Sequence, residues 1–210
     1  MQTFITLVRH GQSTYNASGH AQGQGHIPLS ELGHQQAGHL AEHLPFDEPV
    51  SAIYCSDLLR CRQTAAPLAE RLDLPVWYDA RFRELDVGVW QDLSFAAIRD
   101  QHAADHGAHF ADPYNVLIPG GEDRSMLAQR AVAGLADVVA WHPSYHVVIV
   151  LHGGPILEII RHFRLWDHEP FSGDEPPVYN TSCTRIRFFD GAAALVSPPD
   201  VTHLPADMVT

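Results

Sequence analysis

The chain has 210 residues, with 25 acidic side chains against 13 basic ones and a formal net charge of -12, and every basic residue is an arginine. A chain without lysine carries neither a Walker-type phosphate loop nor Schiff-base chemistry. The acidic balance argues against nucleic acid as a partner and against a polybasic membrane anchor, while 45% apolar residues suit one globular domain, 1–210, around one core.

Three cysteines, Cys55, Cys61 and Cys183, are too few and too odd in number for a disulfide framework. The first residues run into an apolar segment with no basic stretch before it, so no secretory signal is expected. No apolar run approaches the roughly 20 residues of a membrane span. The expected location is therefore the cytoplasm.

Phe4 to Val8 is a short apolar run that ends in Arg9-His10-Gly11. Ser30 is placed to cap a helix whose apolar face is Ala37, Leu40, Ala41 and Leu44. Ser51 to Cys55 reads as a strand, and Ser56 as the cap of a helix carrying Leu58, Cys61, Ala65, Leu68, Ala69 and Leu72 on one face. Arg60 falls off that face, beside Gln63 and Thr64, about one turn in. Residues 75–78 form a further strand. The stretch 93–121 is mixed in composition, contains Pro113, Pro119 and paired glycines, and is expected as an insertion forming a lid over the site. A helix over about 122–140 precedes a second apolar run, Val147 to Leu151, which ends in His152-Gly153-Gly154, and a helix over 155–163 follows. Thr184 to Phe189 and Ala192 to Val196 close the pattern as a hairpin turned at Asp190-Gly191. The tail, 198–210, reads as a surface strap.

Continuous β-branched runs are the mark of strands buried on both faces of a parallel sheet. Their alternation with helices implies an α/β fold, a three-layer α/β/α sandwich around a mostly parallel sheet. Ligands of such sheets bind beyond the carboxyl ends of the strands, where His10 and His152 both fall. A neutral imidazole whose other nitrogen is held by a hydrogen bond can attack phosphorus. Arg9 offers a planar fork for phosphoryl oxygens, Gly11 permits close approach, and Arg60 sits in the first turns of a helix, where an anion is favoured. Glu84 follows the 75–78 strand. Each of these also has a plain structural reading: a chance triplet, a surface arginine, a core histidine, an exposed acid.

The blocks Leu7-Val8-Arg9-His10-Gly11-Gln12-Ser13-Thr14-Tyr15-Asn16, Pro28-Leu29-Ser30-Glu31-Leu32-Gly33, Cys55-Ser56-Asp57-Leu58-Leu59-Arg60-Cys61-Arg62-Gln63-Thr64-Ala65, Arg83-Glu84-Leu85-Asp86-Val87-Gly88, Pro119-Gly120-Gly121-Glu122 and Leu151-His152-Gly153-Gly154 stand in order along the chain. Together they resemble the histidine phosphatase superfamily, in its phosphoglycerate mutase-like branch. The resemblance implies a phosphatase that needs no cofactor and no metal. His10 becomes the phosphorylated nucleophile, Arg9, Arg60 and His152 the phosphate pocket, and Glu84 the acid and base. Asn16 and Gly23 match positions near the phosphate and the substrate. The implied partner is a small phosphorylated metabolite, and the chain's assembly, a homodimer included, stays open. Three positions depart from the family's usual residues: His26 for Asp, Asp92 for Gly and Cys61 for Ala, none of them in the core set.

A phosphoglycerate mutase shares this chemistry but must also grip the substrate's carboxylate with further cations. Residues 93–121 offer only Arg99 against Asp100, Asp105 and Asp112, which favours the phosphatase. The rivals are the mutase and a catalytically silent phosphate binder on the same fold. His102, His106 and His109 recur at helical spacing, as do His39 and His43. They read as a solvated polar face, with a substrate-facing lid surface or a metal site as the alternatives.

Overall fold

The computed structural model describes residues 2–44, 49–166 and 177–210. In chain order the elements are β1 (Gln2–Arg9), α1 (Thr14–Ser18), α2 (Glu31–Glu42), β2 (Val50–Cys55), α3 (Leu59–Leu72), β3 (Val76–Tyr78), α4 (Phe95–Gln101), α5 (Ala103–Ala111), α6 (Arg124–Trp141), β4 (His146–Leu151), α7 (Gly153–His162), β5 (Cys183–Phe189) and β6 (Ala192–Asp200). The strands form one sheet in the order β3-β2-β4-β1-β5-β6. β3, β2, β4 and β1 run parallel, and β5 and β6 add an antiparallel edge.

Alternate residues of each central strand point to opposite faces, and two cores result. Ile5, Leu7, Val147, Ile149 and Leu151 pack with Ala131, Leu135 and Val138 of α6 and Ile156, Ile159 and Ile160 of α7. Val8, Ile53, Val148 and Val150 pack on the other face with Leu40 of α2 and Cys61, Ala65 and Leu68 of α3. This is the expected three-layer sandwich. β4 is buried at all six residues, as a parallel strand covered on both faces must be. A third cluster of Ala21, Leu85, Trp90, Ile98, Ile118 and Leu127 lies under the 93–121 stretch.

Ser30 caps α2 by accepting from the Gly33 amide, and Asp190 and Gly191, with φ of 48° and 80°, make the tight hairpin turn. Several expectations are corrected. Ser56 does not cap α3, whose N-cap is Leu58 without a side-chain bond. The helix expected from 155 starts at Gly153, directly behind His152. β6 runs on to Asp200 through Pro198 and Pro199, which an edge strand tolerates. The tail is more than a surface strap: His203 and Leu204 are buried, the Thr210 carbonyl accepts from the Asn180 amide, and Gln36 Nε2 donates to Met208 O.

The three histidines of the 93–121 stretch do not share a solvated helical face. His102 interrupts the helix, ending α4 and beginning α5. His109 is buried, bonds Val116 O through Nδ1 at 2.7 Å, and its ring centroid lies 5.7 Å from that of Trp90. His106 packs on Trp90 as well, at 5.8 Å. Indole and imidazole edges bury together here because each ring has an apolar face. His39 and His43 stack at 6.0 Å at the end of α2.

Candidate active site

The chain leaves β1 at Arg9 and turns at once, carrying His10 and Gly11 over the sheet edge. The Gly11 and Gly33 backbones meet so closely that a Cβ on Gly11 would stand 2.6 Å from Gly33 O. A side chain there would push α2 off the strand end. The His10 backbone is tied down by its own amide to Leu151 O at 2.9 Å, and its carbonyl accepts from Asn180 Nδ2 at 2.9 Å. Asn180 is in turn held by Thr210, so the tail braces the site from below.

His10 Nδ1 donates to Gly11 O at 2.7 Å. That bond leaves Nε2 with its lone pair, which accepts from Arg60 Nε at 3.3 Å. The same N–H faces His152 Nδ1 at 3.2 Å. His152 therefore carries its proton on Nε2, directed at Ser56 Oγ at 2.9 Å. The two rings meet edge to face, 5.1 Å between centroids. Burial first, and then the charges of Arg60 and Arg9, hold His10 well below the ordinary imidazole value. Burial, Arg60 and His10 do the same for His152. Both rings are neutral at pH 7.

Arg60 is fully buried, contrary to a surface reading. Besides the two imidazoles, its Nη1 donates to Gly25 O and its Nη2 to Gly23 O, each at 3.0 Å. Arg9 donates to Val178 O at 2.6 Å, and its Nε has no partner among the described residues. Glu84 accepts from the Leu85 amide at 2.8 Å and from the Gly154 amide at 3.2 Å.

A cleft of about 430 Å³ opens over these groups. Arg9, His10, Asn16, Gly23 and Glu84 line it, with Gly153 and Gly154 at the N-terminus of α7. Arg60 and His152 are in contact with His10 but lie behind the cleft wall. Asn16 turns its Oδ1 inward to Ser13, completing the capping box of α1.

Sequence reasoning missed four participants. Ser56 orients His152 instead of capping a helix. Cys61 packs in the core as expected, but its Sγ also lies 3.3 Å from His152 Nε2, and burial pushes its thiol up to about 12, so it stays protonated. The α7 amides were hidden because the helix was expected two residues later. Arg124, on the cleft wall, lies three residues past the stretch searched for cations. Of the other departures, Asp92 has φ of 66°, which is why glycine suits the position, and His26 is exposed. Among the described residues no group of three or more His, Cys, Asp or Glu side chains is arranged to hold a metal ion, and no helix is long and apolar enough to cross a membrane.

Residues 5–200 match the model of the histidine phosphatase superfamily, branch 1. The chain belongs to this superfamily. It is 32% identical over 204 residues to the metal-independent phosphoserine phosphatase of Arabidopsis thaliana, covering 96% of this chain and 83% of that one. It is 38% identical over 160 residues to glucosyl-3-phosphoglycerate phosphatase of Mycobacterium tuberculosis, 72% and 71% of the two chains. Among solved structures, Bacillus stearothermophilus YhfR superposes with a TM-score of 0.86 at 30% identity, over 96% of this chain and 98% of that one.

Proposed function

We propose that this histidine phosphatase hydrolyses the phosphomonoester of a small metabolite through a phosphohistidine on His10. One observation carries the reading. The His10 ring is fixed through Nδ1, kept neutral by its surroundings, and lines a cleft that also presents Arg9 and the N-terminus of α7.

Nε2 attacks phosphorus, the Nε2–P bond forms, and the P–O bond to the alcohol breaks opposite it. Glu84 gives the departing oxygen its proton. The Arg60 N–H that faced the Nε2 lone pair is released and turns to a phosphoryl oxygen. Arg9 and the α7 amides carry the remaining charge, the helix N-terminus being suited to an anion. In the second half, water attacks phosphorus, yields a proton to Glu84, and the Nε2–P bond breaks to release inorganic phosphate. Most of the work is positioning and charge complementarity, as phosphoryl transfer requires.

The 93–121 stretch is taken as the cover of the leaving-group end: Phe95 lines the cleft, and His106, His109 and Phe110 line a cavity of about 240 Å³ next to it. This reading sets the substrate in the cytoplasm, consistent with three buried free cysteines. A homodimer is an assembly that sedimentation reads directly. The test of mechanism is His10→Ala, with p-nitrophenyl phosphate and with a rapid acid-labile phosphoenzyme trap. Turnover and phosphoenzyme both vanish while the circular dichroism spectrum stays. Turnover that survives in the variant refutes the assignment. Incubation with 3-phosphoglycerate, followed by phosphorus NMR, separates hydrolysis from isomerisation.

A further inference from the structure

Residues 83–87, which carry Glu84, belong to no helix or strand. Such a segment has no ladder to fix it, and its carbonyls still need donors. They find them on one side chain of α6. Arg130 Nη1 donates to Arg81 O at 2.9 Å and to Arg83 O at 2.5 Å, and its Nη2 donates to Glu84 O at 2.7 Å. The other two N–H groups go to Glu122, Nε to Oε1 at 2.9 Å and Nη2 to Oε2 at 2.8 Å. All the donors of a guanidinium are thereby used.

Glu122 closes the clamp from the other end. Its amide donates to Asp86 O at 2.9 Å, and its Oε2 accepts from the Asp86 amide at 3.1 Å. The backbone is tied on both sides of Glu84, at Arg83 and at Asp86. Phe82 and Leu85 are buried in separate apolar clusters, so packing pins the same segment. The Glu84 carboxylate is oriented by the Leu85 and Gly154 amides, but the Cα from which it hangs is set by Arg130. Neither Arg130 nor Glu122 lines the catalytic cleft.

We infer that Arg130, locked by Glu122, is a positioning residue that holds the acid and base Glu84 at the departing oxygen. It touches no substrate and acts through the backbone of the catalytic group. The planar five-donor fork is what the task needs, because an ammonium has three donors and cannot serve three carbonyls and a carboxylate together. The inference rests on the phosphatase reading.

The test reads leaving-group dependence in kcat/KM, which covers the steps through P–O cleavage. p-Nitrophenolate leaves without a proton, whereas the alkoxide of glycerol 3-phosphate needs one. Arg130→Lys is expected to lose about tenfold to a hundredfold on glycerol 3-phosphate, the cost of displacing a reacting group by up to about 1 Å, and to change little on p-nitrophenyl phosphate. Glu122→Gln, which keeps its volume and an acceptor for the Asp86 amide, loses in the same sense by less. Added to Glu84→Gln, Arg130→Lys is expected to cost nothing more on glycerol 3-phosphate, because no acid is left to position. Equal losses on the two esters, a loss that persists at full size in the double variant, or unchanged kcat/KM in the folded single variants each overturn the inference alone. If Arg130→Lys does not fold, Glu122→Gln carries the same comparisons. Wild-type enzyme inactive on both esters overturns the phosphatase reading with it.

Discussion

Two imidazoles buried in neutral form make this fold sensitive to mild acid. His10 and His152 are both held well below the ordinary value of 6.5, chiefly by burial and then by Arg60. Above pH 6.5 the folded and unfolded chains are alike at these groups and no stability depends on them. As pH falls below 6.5 the unfolded chain takes up protons that the folded chain refuses, so stability drops with falling pH and continues to drop until the folded groups titrate. Each such group removes about 1.4 kcal/mol per pH unit in that window. Between pH 7.5 and 5.5 the pair removes roughly 3 kcal/mol, and His203, held to about 4 by burial, adds to the loss in the same sense. Against a total of about 5–15 kcal/mol for a domain, this is a large fraction. Asp57 and Asp79, lowered by Arg83 and Arg81, act only below the carboxylate range and stay out of this window. Urea unfolding at pH 7.5, 6.5 and 5.5 with a common m-value measures the loss. NMR of the His10 and His152 ring resonances over the same range is expected to show no titration. A flat stability, or a His10 ring that titrates near 6.5, refutes the neutral pair.

Other outcomes follow from single contacts. Glu84→Gln slows hydrolysis most for alcohols that leave poorly, such as glycerol 3-phosphate, and least for p-nitrophenyl phosphate, which needs no acid; equal losses across leaving groups, read from kcat, exclude the acid role. In Gly154→Ala the new methyl would collide with Glu84 Oε1. Because a misplacement of about 1 Å can cost about a hundredfold, kcat is expected to fall by roughly that factor with the melting temperature little changed, and a variant of unaltered kcat sinks the idea that Glu84 is placed by its contact with the α7 amide.

The parts legible in the sequence were those written in residue type and spacing. β1 and β4 announced themselves as buried β-branched runs, Ser30 as a cap, and Asp190-Gly191 as a turn that needs two positive φ values. The illegible parts depend on partners. Arg60 was assigned to the phosphate pocket from its motif and its place near a helix start, but its complete burial was not legible, because hydrophobic periodicity counts a guanidinium as polar and cannot see two carbonyls and two imidazoles from distant segments closing around it. Ser56 looked like a cap because its type fits one, yet His152, 96 residues away, takes its hydroxyl. The break at His102 and the burial of His109 against Trp90 turn on tertiary packing that overrides an apparently continuous helical pattern.

The burial of Arg60 also explains how a chain of net charge -12 can draw in a dianion. Among the described residues no carboxylate hydrogen-bonds to Arg60; its donors end on neutral carbonyls and neutral rings, Glu84 acts on it only through space, and burial lowers both Arg60 and Arg9 from their ordinary values. A buried cation with no carboxylate bonded to it is costly to hold, and here the fold bears that cost through the packing of two complete cores. The same low-dielectric setting that makes the empty site costly makes its attraction for an arriving phosphoryl group strong. On the proposed reading, phosphate binding offsets this buried positive charge. Inorganic phosphate or vanadate at saturating concentration is expected to raise the melting temperature of the wild-type protein, and to do so much less for Arg60→Met. An equal rise in both would show that the buried charge contributes nothing to anion binding.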